Sequence, residues 1–177
     1  MEPLEIAARL RERFPAEALD IVEFRGQVSV VARRDRIVEL CRFLRDDPAI
    51  RMDFLTDLFG VDYPGRESRF EVVYNLFSLS HRHRLRLKAL VPEGDPRIAS
   101  VVPVWRGAEW HEREAYDMFG VSFDGHPDPR RILMPEDWEG HPLRKDYPLE
   151  LPAEREYPAL EVLRELHAHD DEWRILA

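Results

Sequence analysis

The sequence predicts an α+β fold: a small, mostly antiparallel sheet packed by two helices, followed by an extended proline-rich C-terminal arm with a short terminal helix. Three observations carry this. Residues 84–91 alternate, with Leu85, Leu87 and Ala89 set to face inward and Arg84, Arg86 and Lys88 outward, the period of a half-buried strand. Ile37, Leu40, Cys41 and Leu44 instead fall at i, i+3, i+4 and i+7, the apolar stripe of a helix. Seven of the 14 prolines lie between Pro127 and Pro158, which excludes a long helix or a central strand there.

The elements follow in order. Residues 4–14 form a short helix with Ile6, Leu10 and Phe14 on one side. Two strands, 18–24 and 27–33, are joined at Arg25-Gly26 in a tight hairpin. Asp35 is placed to cap the helix bearing Cys41, and Asp46-Asp47-Pro48 stops it. Strands at 52–61, 69–80 and 84–91 complete a sheet with one helix-covered face and one solvated face. A helix from about 106 to 119 ends at Gly120, a left-handed C′ residue. A last amphipathic helix near 158–169 starts on Pro158, with Leu160, Leu163 and Leu166 beneath. The expected organisation is a core domain at 1–104, a helix at 105–120 and an arm at 121–177.

Composition narrows the class. A chain of 177 residues with 44% hydrophobic content holds one domain with a real core. The net charge of −9 argues against nucleic acid, which selects basic surfaces. Residues 1–111 carry 18 acids and 18 bases, so the remaining 17 acids and 8 bases hold the whole imbalance. A lone Cys41 excludes an internal disulfide, a zinc knuckle and an iron–sulfur cluster; on its apolar stripe it reads as a buried thiol. The N-terminus lacks the pattern of a signal peptide. The most apolar stretch, 98–105, is too short to span a bilayer. The chain reads as soluble and intracellular, reaching a membrane only by holding a partner.

Catalytic motifs are approached and missed. His111-Glu112-Arg113-Glu114-Ala115 begins like HExxH but puts alanine where the second ligand must stand. Glu112 and Glu114, two residues apart on a helix, diverge and cannot act as a carboxylate pair. Glu109, Arg113 and Asp117 have the i, i+4 spacing of a charge ladder. A sharper possibility is that Glu114 and Asp117, one turn apart, meet an arginine on another surface. His81 with His83, and His167 with His169, have no third ligand nearby. His126 and His141 each sit in a Gly-His-Pro turn. Gly120 with Gly125, and Gly60 with Gly65, have Walker spacing without its Lys-Ser/Thr, and no Gly-x-Gly occurs. The enzyme alternative is a stand-alone metal-assisted hydrolase using His126, Asp128 and His141.

What remains is the block at 112–148. Arg130-Arg131 and Arg144-Lys145 supply cationic donors between acidic stretches, and Tyr116, Phe119, Phe123, Trp138 and Tyr147 supply anchors. Arginine with aromatics is the composition of interface hot spots. Bulky side chains on an irregular segment need a cover, so the block is expected to lie on a partner, with wrapping of its own sheet as the plainer alternative.

Glu112-Arg113-Glu114, Asp117-Met118-Phe119, His126, Arg130, Ile132 and Leu133, continued by Gly140-His141-Pro142-Leu143-Arg144-Lys145-Asp146-Tyr147-Pro148, resemble the signature of the C subunit, or thirty-kilodalton subunit, family of respiratory complex I (NADH:quinone oxidoreductase). The resemblance implies a peripheral-arm subunit with no cofactor and no active site of its own. Flavin, iron–sulfur clusters and quinone are expected in partner subunits. The implied neighbours are the quinone-site (D) subunit, over which the C-terminal part would run, and nearby iron–sulfur subunits. The implied interface residues are Glu112, Arg113, Glu114, Asp117, His126, Arg130, Arg131, Arg144, Lys145 and Asp146. Membrane-bound hydrogenases and complexes fed by ferredoxin or reduced deazaflavin share the module, and the signature alone does not choose between them. The absence of a transit peptide favours a bacterial protein, expected peripherally on the cytoplasmic side of the inner membrane.

Overall fold

In the computed structural model, residues 1–149 are described. Met1–Asp146 form one compact unit, and a second unit begins at Tyr147. The helix expected near 158–169 and the arm beyond 149 lie outside the described residues.

The chain runs α1 (Pro3–Arg13), β1 (Ala18–Phe24), β2 (Gln27–Arg33), α2 (Ile37–Asp46), β3 (Phe54–Asp62), β4 (Phe70–Phe77), β5 (Arg84–Val91), β6 (Arg97–Ala99), α3 (Ala108–Phe119) and β7 (Ser122–Asp124). This is the α+β architecture the sequence predicts. The sheet order is β1-β2-β5-β4-β3. Three of its four ladders are antiparallel, and β2–β5 is parallel, pairing Ser29 with Arg86 and Val31 with Lys88. A parallel ladder needs a crossover, and here α2 and the β3–β4 hairpin intervene. The parallel pair β6–β7 went unforeseen, since three-residue strands leave little period to read.

One sheet face makes the core. Val28, Val30 and Ala32 of β2 meet Phe70, Val72, Tyr74 and Leu76 of β4, and Leu85, Leu87 and Ala89 of β5, all buried. The apolar stripes of α1 and α2, including Ile6, Leu10, Ile37, Leu40 and Leu44, complete the same cluster. Cys41 is fully enclosed, and burial pushes its thiol pKa up, as its place on the stripe predicts.

Turns and caps decide the rest. Arg25 and Gly26 both take positive φ, 52° and 74°, as a two-residue I′ hairpin turn requires. Gly120 is left-handed at φ 74°, with its N–H donating to the Tyr116 carbonyl at 2.8 Å. Asp35 does not cap α2: the N-cap is Arg36 and makes no side-chain cap hydrogen bond. Arg36 is instead tied to Glu39 and Glu17.

α3 lies along the edge strand β3, and the approach depends on a missing side chain. A Cβ on Gly60 would stand 2.6 Å from the Phe119 ring. Gly60→Ala therefore drives α3 off β3, and overpacking of this kind costs about 1–3 kcal/mol. Urea unfolding of Gly60→Ala against wild type measures it; an unchanged midpoint would show that Phe119 moves aside freely.

Candidate protein-interaction site

The signature residues lie on α3 and on the irregular chain that follows β7. α3 buries Ala108, Glu112 and Ala115 along one line and Asp117 with Met118 beside it. Both acids are fully enclosed. A charge ladder of Glu109, Arg113 and Asp117 does not form, because Arg113 turns to the carbonyls of Arg130 and Arg131 and Asp117 to Arg131 and three amides.

Asp117 is the organising group. Its Oδ1 accepts Arg131 Nη1–H at 2.6 Å. Its Oδ2 accepts three successive backbone N–H groups, from Ile132, Leu133 and Met134, at 3.1, 2.8 and 2.9 Å. Burial raises the pKa of this carboxyl, but the Met134, Leu133 and Ile132 amides and Arg131 more than offset it, so it sits below the ordinary value. Arg131 carries the anchor onward, donating through Nη2 to the carbonyls of Trp138 and Gly140 at 2.9 and 3.0 Å. The arginine expected to meet Glu114 and Asp117 on another surface is Arg131 of this chain, and it meets Asp117 alone.

A second anchor holds the far end. Lys145 donates its backbone N–H to Asp62 Oδ2 at 2.7 Å, while its side chain stays exposed. Arg69, itself almost wholly buried, forks onto Asp62 at 2.7 and 3.0 Å and onto Asp146 at 2.7 and 3.0 Å. Arg144 donates to the Phe119 carbonyl at 2.6 Å and lies over the Phe70 ring. A Cβ on Gly120 would collide with Arg144 and His141, so this glycine serves both the helix end and the chain crossing above it.

Between the anchors, Arg113 donates to the carbonyls of Arg130 and Arg131 at 2.9 and 2.8 Å and stacks over Trp110. Arg130 is forked onto Asp128 and remains exposed. Glu114 is exposed and has no partner among the described residues. Leu133 and Leu143 are 60% and 50% exposed, and Trp110 is 60% exposed. Residues 121–146 are folded onto this chain's own α3 and sheet, the plainer alternative for this part of the block at 112–148. Two buried carboxylates make that fold, and they leave Glu114, Arg130, Lys145, Leu133 and Leu143 on the outer side.

Glu112 is a different case. It accepts Ser100 Oγ–H at 2.6 Å and the Val101 N–H at 2.7 Å, joining α3 to the turn after β6. Burial pushes its pKa up to about 7 against these two donors. His126 Nε2 lies 4.0 Å from it. However, Nε2–H donates to the Glu109 carbonyl at 2.9 Å and Nδ1 accepts the Asp128 N–H at 3.0 Å. Both ring nitrogens are engaged in holding backbone. The cavity here, about 250 Å³ and lined by Glu112, Tyr116, Phe123 and His126, is below the usual size of a ligand site.

The hydrolase alternative loses its geometry. His141 Nδ1–H donates to the Asp117 carbonyl at 3.0 Å, and burial holds its pKa down. Among the described residues no group of three or more His, Cys, Asp or Glu could hold a metal ion, and no helix is long and apolar enough to cross a membrane. Asp62, Arg69 and Ser100 were missed from sequence. Asp62 and Arg69 bracket the Pro64-Gly65 turn, and opposite charges flanking a hairpin turn were the available signal.

Comparisons with known proteins agree with one another. The family described as "Respiratory-chain NADH dehydrogenase, 30 Kd subunit" matches residues 30–153. The C subunits of bacterial NADH-quinone oxidoreductases are similar: that of Roseiflexus castenholzii is 58% identical, covering 81% of this chain and 83% of its own length. That of Geobacter sulfurreducens is 52% identical over 84% of this chain and 91% of its own. Among solved structures, a trypsin-resistant fragment of Nqo5 is 34% identical with a TM-score of 0.62, covering 72% of this chain and 99% of the fragment. A chain of the membrane-bound sulfane sulfur reductase, an archaeal respiratory membrane complex, shares the fold at 22% identity and TM-score 0.69, over 89% of this chain and 98% of that one.

Two outcomes test the site. Asp117→Asn removes the charge that four donors converge on and leaves Arg131 unpaired, costing about 3 kcal/mol. The contribution of Asp117 is present above the ordinary aspartate value and lost as pH falls through its lowered folded value, so the two proteins should converge in urea melts in acid. Glu112 behaves oppositely. Its raised value means its proton stabilises the fold below about pH 4.5, and stability falls by up to about 3 kcal/mol as pH rises through 7. Glu112→Gln should flatten that slope between pH 5 and 7.5, and an identical slope in both proteins would refute the assignment.

Proposed function

The chain belongs to the family of the thirty-kilodalton subunit of respiratory-chain NADH dehydrogenase, and from that premise we propose that it is a cofactor-free structural subunit of NADH:quinone oxidoreductase, complex I. It docks beside the quinone-site (D) subunit and holds that neighbour and the adjoining iron–sulfur subunits in register. The observation that carries this is the use made of the signature. Its inward charged residues Arg113, Asp117, Arg131 and Arg144 are used in holding residues 121–146, and its outward residues form a mixed apolar and charged rim with no catalytic convergence. A segment ordered before it docks loses less entropy on binding than a floppy one.

The proposed mechanism is mechanical and electrostatic. Asp117 and Asp62 hold the ends of the 131–146 segment, so Leu133 and Leu143 are presented at fixed spacing as apolar anchors. Glu114, Arg130 and Lys145 supply the surrounding polar contacts that set orientation. Electrons pass through flavin, iron–sulfur clusters and quinone held by the partners, and this chain keeps those partners at working distance. It reaches the cytoplasmic side of the inner membrane through them.

The test begins with a tag on the N-terminus, gentle solubilisation of membranes, and identification of the co-purifying chains alongside an NADH:quinone reductase assay. A large flavin and iron–sulfur assembly with that activity is expected. A hydrogenase or a ferredoxin- or deazaflavin-fed partner set would change the type of complex. Recovery of the chain alone from the soluble fraction would overturn the reading. Arg131→Glu places a carboxylate against Asp117, and should deplete the assembled complex on a native gel without unfolding residues 1–111. Normal assembly with full activity would refute it.

A further inference from the structure

The second face of the five-stranded sheet lies away from the core and carries two ordered rows. Strand register aligns Phe24 with Gln27, Arg84 with Phe77, and Phe77 with Phe54. The parallel ladder sets Ser29 beside Arg86 and so, one row earlier, Gln27 beside Arg84. The first row across the sheet is thus Phe24, Gln27, Arg84, Phe77, Phe54. The next is Val22, Ser29, Arg86, Asn75, Asp57. Phe24, Val22 and Phe54 are 66%, 43% and 46% exposed, although strand aromatics of this kind normally lie under a covering layer.

The centre of both rows is a guanidinium with no carboxylate partner among the described residues. Arg86 is held across the face by neutral acceptors, Asn75 Oδ1 at 2.9 Å and Gln27 Oε1 at 3.2 Å. Arg84 lies over the Phe77 ring. Lys88 follows two residues on, with Glu71 at 3.6 Å as its only carboxylate among the described residues. Arg36, Arg69, Arg97, Arg130 and Arg131 each have a carboxylate, whereas Arg84 and Arg86 sit side by side on one face without one among the described residues. A concavity of about 460 Å³ opens at the end of these strands, where Gln27, Asn75, Arg84 and Arg86 of the two rows meet Pro3 of α1 and the core-facing Val28, Leu76 and Leu85.

We propose that this sheet face is a second docking surface, distinct from the outward side of residues 121–146 and bounded at Asp57 by His111 of α3, and that its occupant is an acidic, apolar-flanked segment of a different polypeptide in the assembly. Forked guanidiniums pair with carboxylates in a bidentate manner, and Phe24 and Phe54 at the margins provide apolar contact on either side. Asn75 and Gln27 hold Arg86 in place before the partner arrives, so little side-chain freedom is lost on binding. A second copy is a poor occupant. A twofold interface would set Arg84 and Arg86 against themselves, where like charges repel.

The surface is tested in the assembled complex. A photo-crosslinking benzoyl-phenylalanine replaces Phe54, and separately Phe24, in the tagged chain expressed in its host; membranes are irradiated and the joined peptides sequenced by mass spectrometry. The expected product joins this chain to an Asp/Glu-rich segment of another polypeptide. Its yield should fall by at least about tenfold in the Arg84→Glu/Arg86→Glu background, as loss of a hot-spot pair predicts. Cross-links to this chain's own residues 150–177, to a second copy, or to a segment without acidic residues would overturn the proposal. Hydroxyl-radical footprinting of the unsubstituted protein guards against a variant that fails to assemble. Phe24 and Phe54 should be protected in the purified complex relative to the free chain, and equal oxidation in both would overturn the proposal even where docking through residues 121–146 is intact.

Discussion

The Asp117 carboxylate is the constraint on which the irregular chain at 131–140 depends. An irregular segment cannot satisfy its own amides through a ladder, and buried amides left unpaired cost free energy. One carboxylate accepting Ile132, Leu133 and Met134 N–H settles three of these amides together, and Arg131 neutralises the charge that the burial of Asp117 would otherwise penalise. Arg131 then fixes residues 138–140 through their carbonyls. The conformation of a proline-rich stretch follows from one side chain on a helix that precedes it.

Much of the fold was legible because it rests on period and on turn chemistry. The alternation of Leu85, Leu87 and Ala89, the stripe of Ile37, Leu40, Cys41 and Leu44, the Arg25-Gly26 turn and the Gly120 helix end are local patterns, and all four appear in the structure. Asp35 misled because capping requires the residue to sit at the boundary, and the boundary falls one residue later. The site was harder to read. Arginine and aromatics signal something that must be covered, but sequence does not say whether the cover is another protein or the chain itself. Here Asp117 and Arg131, fourteen residues apart, answer each other. Glu112 held a legible clue: it shares a helical line with Ala108 and Ala115, an acid where the stripe calls for a small apolar residue. The Asp62–Arg69–Asp146 join was out of reach, since one member lies more than seventy residues from the others.

Membership of the respiratory-chain family gives these contacts a common purpose. The signature contains two kinds of residue that look alike in sequence. Glu112, Asp117, His126 and Arg131 face inward and hold backbone. Glu114, Arg130 and Lys145 face outward, Arg130 paired with Asp128. Substitutions of the first kind act through the shape of the segment; those of the second act on its surface charge alone. The distinction is one of burial, and it is invisible to composition.

The parallel β2–β5 ladder has a kinetic consequence. β1 with β2, and β3 with β4 and β5, are each built from neighbours in the chain and can close quickly. The parallel pairing between them joins Ser29 to Arg86, so it must wait for a long loop to close while the two hairpin halves already expose β2 and β5 as unsatisfied edges. α2 lies between the halves in sequence and packs on the core face that both share. The slow step in acquiring this fold is therefore the seam between two quickly formed pieces, and a nascent chain stays vulnerable to wrong strand partners until residue 91 has emerged.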